Sequence, residues 1–241
     1  MKNQTVRPMT PGQMKDLISA VTEGIPSDLS FEVAQRLIGK KKKLTKKVKE
    51  IFFSTESSDY SGLVAQQETF YKKVFGRDCN FSNVSIPEKP IVGEWRLLIL
   101  VDLTLEQLYA KCNELFPCWR WTNRCLDNEV VKNERDAKNG AYAIWVKDEV
   151  EADEELKNLS ANDIKGKNIT TETLAERLIH ELEYFDETGN HLDIKNITLC
   201  AGSRYGDGGV PYVDWGDDEV RVDWFVAGHA GGRLRSRQVV S

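Results

Sequence analysis

Two segments near the carboxyl end of the chain constrain its fold more than any other feature. Val210 to Trp215 and Val220 to Val226 alternate apolar and polar side chains, which is the period of a half-buried β-strand. Gly216-Asp217-Asp218 between them has the residue types of a tight turn. The sequence therefore predicts a β-hairpin with one buried and one exposed face. The buried face would hold Val213, Trp215, Val220, Val222 and Trp224, and the exposed face Tyr212, Asp214, Arg221, Asp223 and Phe225.

Two further apolar runs have the length and side-chain types of buried strands. They are Trp95–Val101 and Ala141–Val146, and another strand is predicted within Leu234–Val240. We divide the chain into an N-terminal helical segment, residues 1–78, and a second domain, residues 79–241. Because helical and strand patterns are mixed along the second domain, the predicted fold class is α+β.

Capping residues mark two helices of the second domain. Thr104 followed by Gln107 has the spacing of a capping box. The clearest helix runs from about Glu172 to Glu187, where Leu and Ile recur at helical spacing and Thr170 or Thr171 can cap the first turn.

The N-terminal segment carries a cluster of positive charge. Residues 11–53 read as three short helices, with Ser30 as the cap of the second. The cluster consists of Lys40, Lys41, Lys42, Lys43, Lys46, Lys47 and Lys49. A solvated helical appendage is favoured, because the lysines crowd one junction and no aromatic or Arg/Asn reading face accompanies them. Binding of nucleic acid through this cluster is the alternative.

Motifs of known catalytic or cofactor sites do not occur in the sequence. It has no H-E-x-x-H, P-loop, G-x-S-x-G or G-x-G-x-x-G pattern. The five cysteines form no C-x-x-C pair, and the aspartates near the carboxyl end do not match an EF-hand. We therefore predict no catalytic residue, no metal and no cofactor. The absence of a signal peptide and of an apolar run long enough for a membrane predicts a cytoplasmic protein that does not enter membranes.

The composition changes sharply near the carboxyl end. All lysines lie at or before Lys195 and all asparagines at or before Asn196, and after Glu187 the only glutamate is Glu219. Residues 203–237 instead use Gly, Asp, Arg, Tyr, Phe, Val, Ala and His. Antibody paratopes use a related set, because aromatic side chains give large contact areas and small residues adapt to a ligand. A glycine-rich sheet edge would explain Gly and Asp, but not the simultaneous loss of Lys, Asn and Glu.

A set of positions between Leu199 and Val240 resembles a known family. They are Leu199-Cys200-Ala201-Gly202-Ser203-Arg204, Val210-Pro211, Val213, Trp215, Val222, Trp224 and the final run Leu234-Arg235-Ser236-Arg237-Gln238-Val239-Val240. This stretch looks like the carboxyl end of variable proteins of diversity-generating retroelements, in which adenine-directed copying errors rewrite one face of a C-type-lectin-like domain. Many of the intervening residues, such as Tyr212 and Asp223, can be reached from the asparagine codon AAC by changes of adenine alone.

The resemblance implies a C-type-lectin-like domain with an N-terminal helical segment, in which Trp95–Val101 and Leu234–Val240 pair near each other. It also implies a non-enzymatic binding protein with a macromolecular ligand, expected to be a protein. The expected ligand-binding residues are Tyr205, Asp207, Tyr212, Asp214, Asp217, Asp218, Arg221, Asp223, Phe225, Val226, His229 and Arg233. Alanine at Tyr212, Arg221 and Phe225 is expected to leave stability nearly unchanged. An enzyme on a lectin-like scaffold is a further alternative; formylglycine-generating relatives hold copper with a cysteine pair, and no cysteine follows Cys200.

Overall fold

The computed structural model describes most of the chain beyond its N-terminal region. The described residues are Thr10, Lys15, Ile18, Ser19, Thr22, residues 30–42 and residues 59–241. The chain divides into two compact units, Met1–Ser57 and Ser58–Ser241. In the first unit, helix α1 spans Phe31–Gly39, and the Ser30 hydroxyl accepts a hydrogen bond from the Val33 amide (3.3 Å), as predicted for its cap.

The other predicted N-terminal features fall mostly outside the described residues. These include Lys43, Lys46, Lys47 and Lys49 and most of the first and third predicted helices. Lys40, Lys41 and Lys42 are described and exposed.

The second unit combines helices with three β-sheets, which confirms the α+β class. Its helices are α2 (Ser61–Phe75), α3 (Leu105–Leu115), α4 (Leu126–Glu129), α5 (Ala161–Gly166) and α6 (Leu174–Thr188). A single 3₁₀ turn spans Glu154–Leu156. Its strands are β1 (Trp95–Leu100), β2 (Cys118–Arg120), β3 (Val130–Asn133), β4 (Tyr142–Lys147), β5 (Ile197–Leu199), β6 (Ser203–Tyr205), β7 (Val210–Gly216), β8 (Glu219–Phe225), β9 (Leu234–Arg235) and β10 (Val239–Val240).

A three-stranded sheet in the order β1-β4-β10 forms the centre of the core. Both neighbours of β4 run antiparallel to it, and side chains such as Ile99 and Trp145 are completely buried. The apolar side of α6 packs against β1 and α3. The first and last strands therefore share one sheet, as expected, but β4 lies between them.

Helix α2 belongs to the second unit, so the domain boundary lies earlier than the predicted one at residue 78. The Tyr71 hydroxyl donates to the Ile99 carbonyl oxygen (2.6 Å). The Gln67 side chain bonds to the Leu97 carbonyl oxygen and the Ile99 amide, both at 3.0 Å. Because these bonds join α2 to a buried strand, the helix is part of the core.

Capping boxes start three of the helices. Thr104 and Gln107 form the predicted one at α3, and a second starts α5. The cap of α6 is Thr173, which pairs with Glu176, so the predicted caps Thr170 and Thr171 were wrong by two to three residues. All three positions carry threonine, and only the path of the backbone into the helix distinguishes them.

The predicted hairpin is formed by β7 and β8, which run antiparallel with Val213 opposite Val222. Asp217 and Asp218 connect the strands with φ angles of 57° and 61°. Two successive positive φ angles are typical of a type I′ turn, whose twist matches that of the strands.

A buried charge cluster fixes the final strands to the rest of the domain. The Asp193 carboxylate accepts hydrogen bonds from Arg177 (3.0 Å), Arg237 (2.8 Å) and Thr198 (2.6 Å). Burial raises the pKa of Asp193, but the Arg237 and Arg177 guanidinium groups outweigh burial and hold it below its ordinary value. The guanidinium group of Arg237 also donates to the carbonyl oxygens of Glu149 and Val150.

Candidate ligand-binding face

The predicted exposed side of the hairpin belongs to a five-stranded sheet in the order β2-β8-β7-β5-β9. Strand β2 lies parallel to β8 and places Trp119 opposite Arg221. On the other side of β8, Arg221 lies opposite Asp214 and Asp223 lies opposite Tyr212. These side chains border a cleft of about 300 Å³ lined by Trp119, Tyr212, Asp217, Glu219, Arg221 and Asp223, which we call the hairpin face.

Arg221 is held in place by two carboxylates. Its guanidinium group contacts Asp214 (2.6 Å) and Asp217 (2.8 Å). The hydrogen bond to Asp214 is the main cause that raises the pKa of Arg221. Asp214 is fully buried, so it needs this partner and does not present its side chain to a ligand. Replacing Arg221 with alanine would leave a buried charge poorly compensated, which destabilises a fold, contrary to the expectation from sequence.

Three aromatic side chains form a stack at the far end of the face. The rings of Tyr212 and Phe225 lie 4.5 Å apart and those of Phe225 and His229 4.1 Å apart, in nearly parallel planes. The Tyr212 hydroxyl donates to Asp223 (3.1 Å), and burial is the main cause that raises the pKa of Tyr212. Tyr212 and Phe225 pack against a small second core that includes Ile164 of α5. Two of the three rings of the stack are therefore supported from below, while His229 is exposed.

The rim of the hairpin face is open to solvent. Val226 is 63% exposed and Trp119 41% exposed. The Asp217 side chain is 81% exposed and that of Arg233 60% exposed, and Asp218 is also exposed. Exposed apolar side chains next to charged ones are typical of surfaces that bind other molecules.

Tyr205 and Asp207 do not line the hairpin face. Tyr205 is only 6% exposed, and its ring contacts Trp121, with the ring centres 4.6 Å apart. Asp207 lies in the turn after β6, where its carboxylate accepts a hydrogen bond from the Gly209 amide (2.8 Å). Both residues line a different, smaller cavity. The prediction that Tyr205 and Asp214 are exposed was therefore wrong, because both are buried.

The side chains predicted to lie beneath the face are buried or half-buried. Val213, Val220 and Val222 are at most 1% exposed. Trp215 and Trp224 are half-buried and pack against the core. His191 stacks on Trp215 with ring centres 3.6 Å apart.

Trp119 is a residue of the hairpin face that the sequence did not assign to it. Its parallel pairing with β8 joins positions about a hundred residues apart, and local patterns carry no information on such a pairing.

Polar groups with the potential for chemistry lie mostly in the interior. His180 contacts Glu172 through Nδ1 at 2.9 Å, and burial is the main cause that lowers the pKa of His180 well below its ordinary value. Burial raises the pKa of Glu172 to about 7, and both residues are fully buried. Within the part of the chain that the structure describes, no group of three or more His, Cys, Asp or Glu side chains is arranged to hold a metal ion.

Comparisons with known proteins give no relative. No protein-family model matches the chain, and neither a curated protein nor a solved structure does. Among the described residues, no helix has both the length and the apolar character needed to cross a membrane.

Proposed function

We propose that the chain is a non-enzymatic binding protein that contacts a protein ligand through the hairpin face. One observation carries the proposal: in both β7 and β8, the side chains on one side pack in the core and those on the other side line the cleft. Val213, Val220 and Val222 point into the core, while Arg221 and Asp223 line the cleft on the other side. Apart from Arg221, which Asp214 requires, side chains on the cleft side can therefore vary more freely than those beneath it.

The chemistry of the face supports a macromolecular ligand. Its cleft is shallow and mixes aromatic with charged side chains, and its rim carries the exposed Val226. Aromatic residues and arginine contribute most of the binding energy in many protein interfaces. Because Tyr212 and Phe225 are stacked and packed against the second core, their side chains have little conformational entropy to lose on binding.

We further propose that the domain is C-type-lectin-like and belongs to the variable proteins of diversity-generating retroelements. The sharing of one sheet by β1 and β10 supports this proposal. The position of β7, β8 and β9, three of the four strands of the compositionally distinct segment, in one five-stranded sheet also supports it. The expected variable positions narrow to Tyr212, Asp217, Asp218, Asp223, Phe225, Val226, His229 and Arg233. Arg221 is excluded because Asp214 requires it.

Two matched libraries test the division of roles. In the first, Tyr212, Asp223, Val226, His229 and Arg233 are randomised; in the second, Leu199, Val210, Val213, Val220 and Val222. We expect most members of the first library to remain folded and most of the second to unfold, because core substitutions cost about 1–5 kcal/mol each while surface ones usually cost less than about 0.5 kcal/mol. Resistance to protease measures the folded fraction. Equal losses in both libraries would contradict the proposal.

Binding itself is tested with the first library. Displayed on phage and panned against several unrelated folded proteins, it should yield binders that lose affinity by about tenfold or more when their selected residues revert to alanine. Failure to obtain any binder from a folded library would count against a ligand-binding face. The DNA around the gene gives a separate test of the family, since a reverse-transcriptase gene and a near-copy of the 3′ end that differs only at adenines are expected there.

A further inference from the structure

A second cavity lies at the end of the five-stranded sheet, away from the hairpin face. It has a volume of about 220 Å³ and is lined by Trp121, Asn128, Glu129, Tyr205, Gly206, Asp207 and Trp224. Asp223 and Trp224 are neighbours on β8, so their side chains leave the strand on opposite sides. A molecule bound in this cavity therefore contacts side chains other than those of the hairpin face.

Three aromatic rings provide most of its walls. The rings of Trp121 and Tyr205 meet at 54° with their centres 4.6 Å apart. The Trp224 ring lies against Gly209, where an added β-carbon would come within 2.9 Å of it. Glycine at position 209 thus gives the indole the space to occupy this position.

The Tyr205 hydroxyl is an unexplained polar group in this wall. Only 6% of the Tyr205 surface is exposed, and among the described residues its hydroxyl has no hydrogen-bond partner. Buried polar groups almost always have a partner in folded proteins. Tyr205 lines the cavity, so a molecule bound there comes close to this hydroxyl, and the hydroxyl oxygen offers a partial negative charge to a cation.

The charged residues of the cavity are both acidic. The Asp207 carboxylate uses one oxygen for the Gly209 amide (2.8 Å). Glu129 has a distant contact of 3.5 Å with Arg124, whose side chain is 78% exposed, and exposed pairs of this kind contribute little. The lining contains no lysine or arginine, so two carboxylates face it without a buried cation.

We propose that this cavity, the aromatic cage, binds a methylated ammonium group. A cation over aromatic rings is attracted by the negative charge density of the ring faces, and quaternary ammonium groups are recognised by such cages. Glu129 and Asp207 add a favourable Coulomb interaction. A trimethylammonium group has no N–H donor to satisfy. An unmethylated ammonium group has three; the two carboxylates can accept some of them, but the aromatic walls accept the others only weakly. The group could belong to a small free molecule or to a methylated lysine of a protein.

Tetramethylammonium chloride and neopentyl alcohol, a neutral molecule of the same shape, provide the first test. Each is added to the full chain while the indole N–H signals of Trp121 and Trp224 are followed by NMR, with equal sodium chloride in the reference sample. We expect saturable shifts with the cation and affinity about tenfold or more weaker for the alcohol. Absence of saturable shifts, or equal affinity for both molecules, would overturn the proposal.

Variants separate specific recognition from general attraction to an acidic protein. Glu129→Gln with Asp207→Asn keeps the shapes of the side chains, and asparagine can still accept from the Gly209 amide. We expect affinity for tetramethylammonium to fall about tenfold. The matched pair Glu114→Gln with Asp78→Asn, whose side chains are 64% and 82% exposed and line neither site, should leave it within about twofold. Equal losses in both pairs would overturn the proposal.

Tyr205→Phe examines the orphaned hydroxyl. Because this hydroxyl has no partner among the described residues, its removal should not lower the melting temperature. It should weaken binding of the cation, because the attraction between the positive charge and the hydroxyl oxygen is lost. If neither binding nor stability changes, the hydroxyl does not contact the bound cation.

The source of the group is resolved with peptides. A trimethyllysine peptide that binds more tightly than tetramethylammonium points to a protein ligand, and equal affinity points to a small molecule. An unmethylated lysine peptide that binds as tightly as the methylated one would overturn selectivity for the methylated group. None of these outcomes depends on the hairpin face, so this proposal and the proposed function can fail separately.

Discussion

Glu183 carries its carboxyl group in the interior of the protein without a close cation. It is 2% exposed, Gln67 donates one hydrogen bond to it (2.9 Å), and the nearest atom of Arg96 is 4.0 Å away. Burial is the main cause that raises its pKa from 4.5 to about 8. At neutral pH the folded protein therefore holds a proton that the unfolded chain releases.

This difference makes stability depend on pH in a defined direction. A carboxyl group with a raised pKa in the folded state contributes stability that is complete below its unfolded pKa and is lost as the pH rises through the folded pKa. Glu183→Gln imitates the protonated side chain and should remove this loss. We expect the variant to gain about 1 kcal/mol or more over the wild type at about pH 8.5 relative to about pH 5, measured by urea denaturation.

Glu114→Gln is the matched control, because the Glu114 side chain is 64% exposed. Its stability should follow that of the wild type at both pH values. A constant difference between Glu183→Gln and the wild type across this range would show that Glu183 is ionised in the folded protein.

At the scale of elements, the turn between β7 and β8 sets the register of the hairpin face. Asp217 and Asp218 both adopt positive φ angles, which fixes a two-residue connection and places Asp214 opposite Arg221. A slip of one residue would move every side chain of one strand to the other side of the sheet. The turn therefore determines which side chains reach the cleft.

Asp218→Gly should stabilise the hairpin. Glycine adopts positive φ without the steric cost of a β-carbon and is preferred in type I′ turns, so we expect a gain of about 0.5 kcal/mol in the free energy of unfolding. Alanine lacks the local hydrogen bonding by which aspartate tolerates this conformation, so Asp218→Ala should be destabilising. Thermal denaturation of the two variants measures this, and shifts in the same direction would contradict the role assigned to the turn.

The elements that local patterns define were predictable from the sequence. The alternation in β7 and β8 placed Val213 and Val222 on the buried side, and Thr104 with Gln107 marked the start of α3. What local patterns do not encode is which distant segments meet. The parallel pairing that brings Trp119 beside Arg221 and the bonds of α2 to β1 both join remote positions.

The same limit applies to the burial of polar side chains. Alternation correctly placed Asp214 on the cleft side of β7, but it cannot show that Arg221 covers it and leaves it without exposure. Tyr205 was expected at the surface because its residue type matches its neighbours, and it is buried by Trp121.

At the scale of the whole molecule, the folded unit begins near Ser58. A chain that starts at residue 58 should retain a cooperative thermal transition close to that of the full chain. A chain that starts at residue 79 lacks Gln67, Phe70 and Tyr71 and should unfold, because losing one large buried aromatic side chain alone costs about 3–5 kcal/mol against a total of about 5–15 kcal/mol. Circular dichroism on heating measures both, and similar transitions would place the boundary at residue 78.

Arg237 lies four residues before the last residue of this sequence and is 1% exposed. Its position makes folding of the domain depend on the reading frame of the gene. The hairpin face is translated before Arg237, and without that guanidinium group Asp193 and the carbonyl oxygens of Glu149 and Val150 lose their common donor. A gene copy with a premature stop codon or a shifted reading frame anywhere in the face would therefore encode a chain that fails to close its core. Only gene copies that keep the reading frame through the hairpin face encode Arg237. An intact face and a closed core therefore depend on the same reading frame.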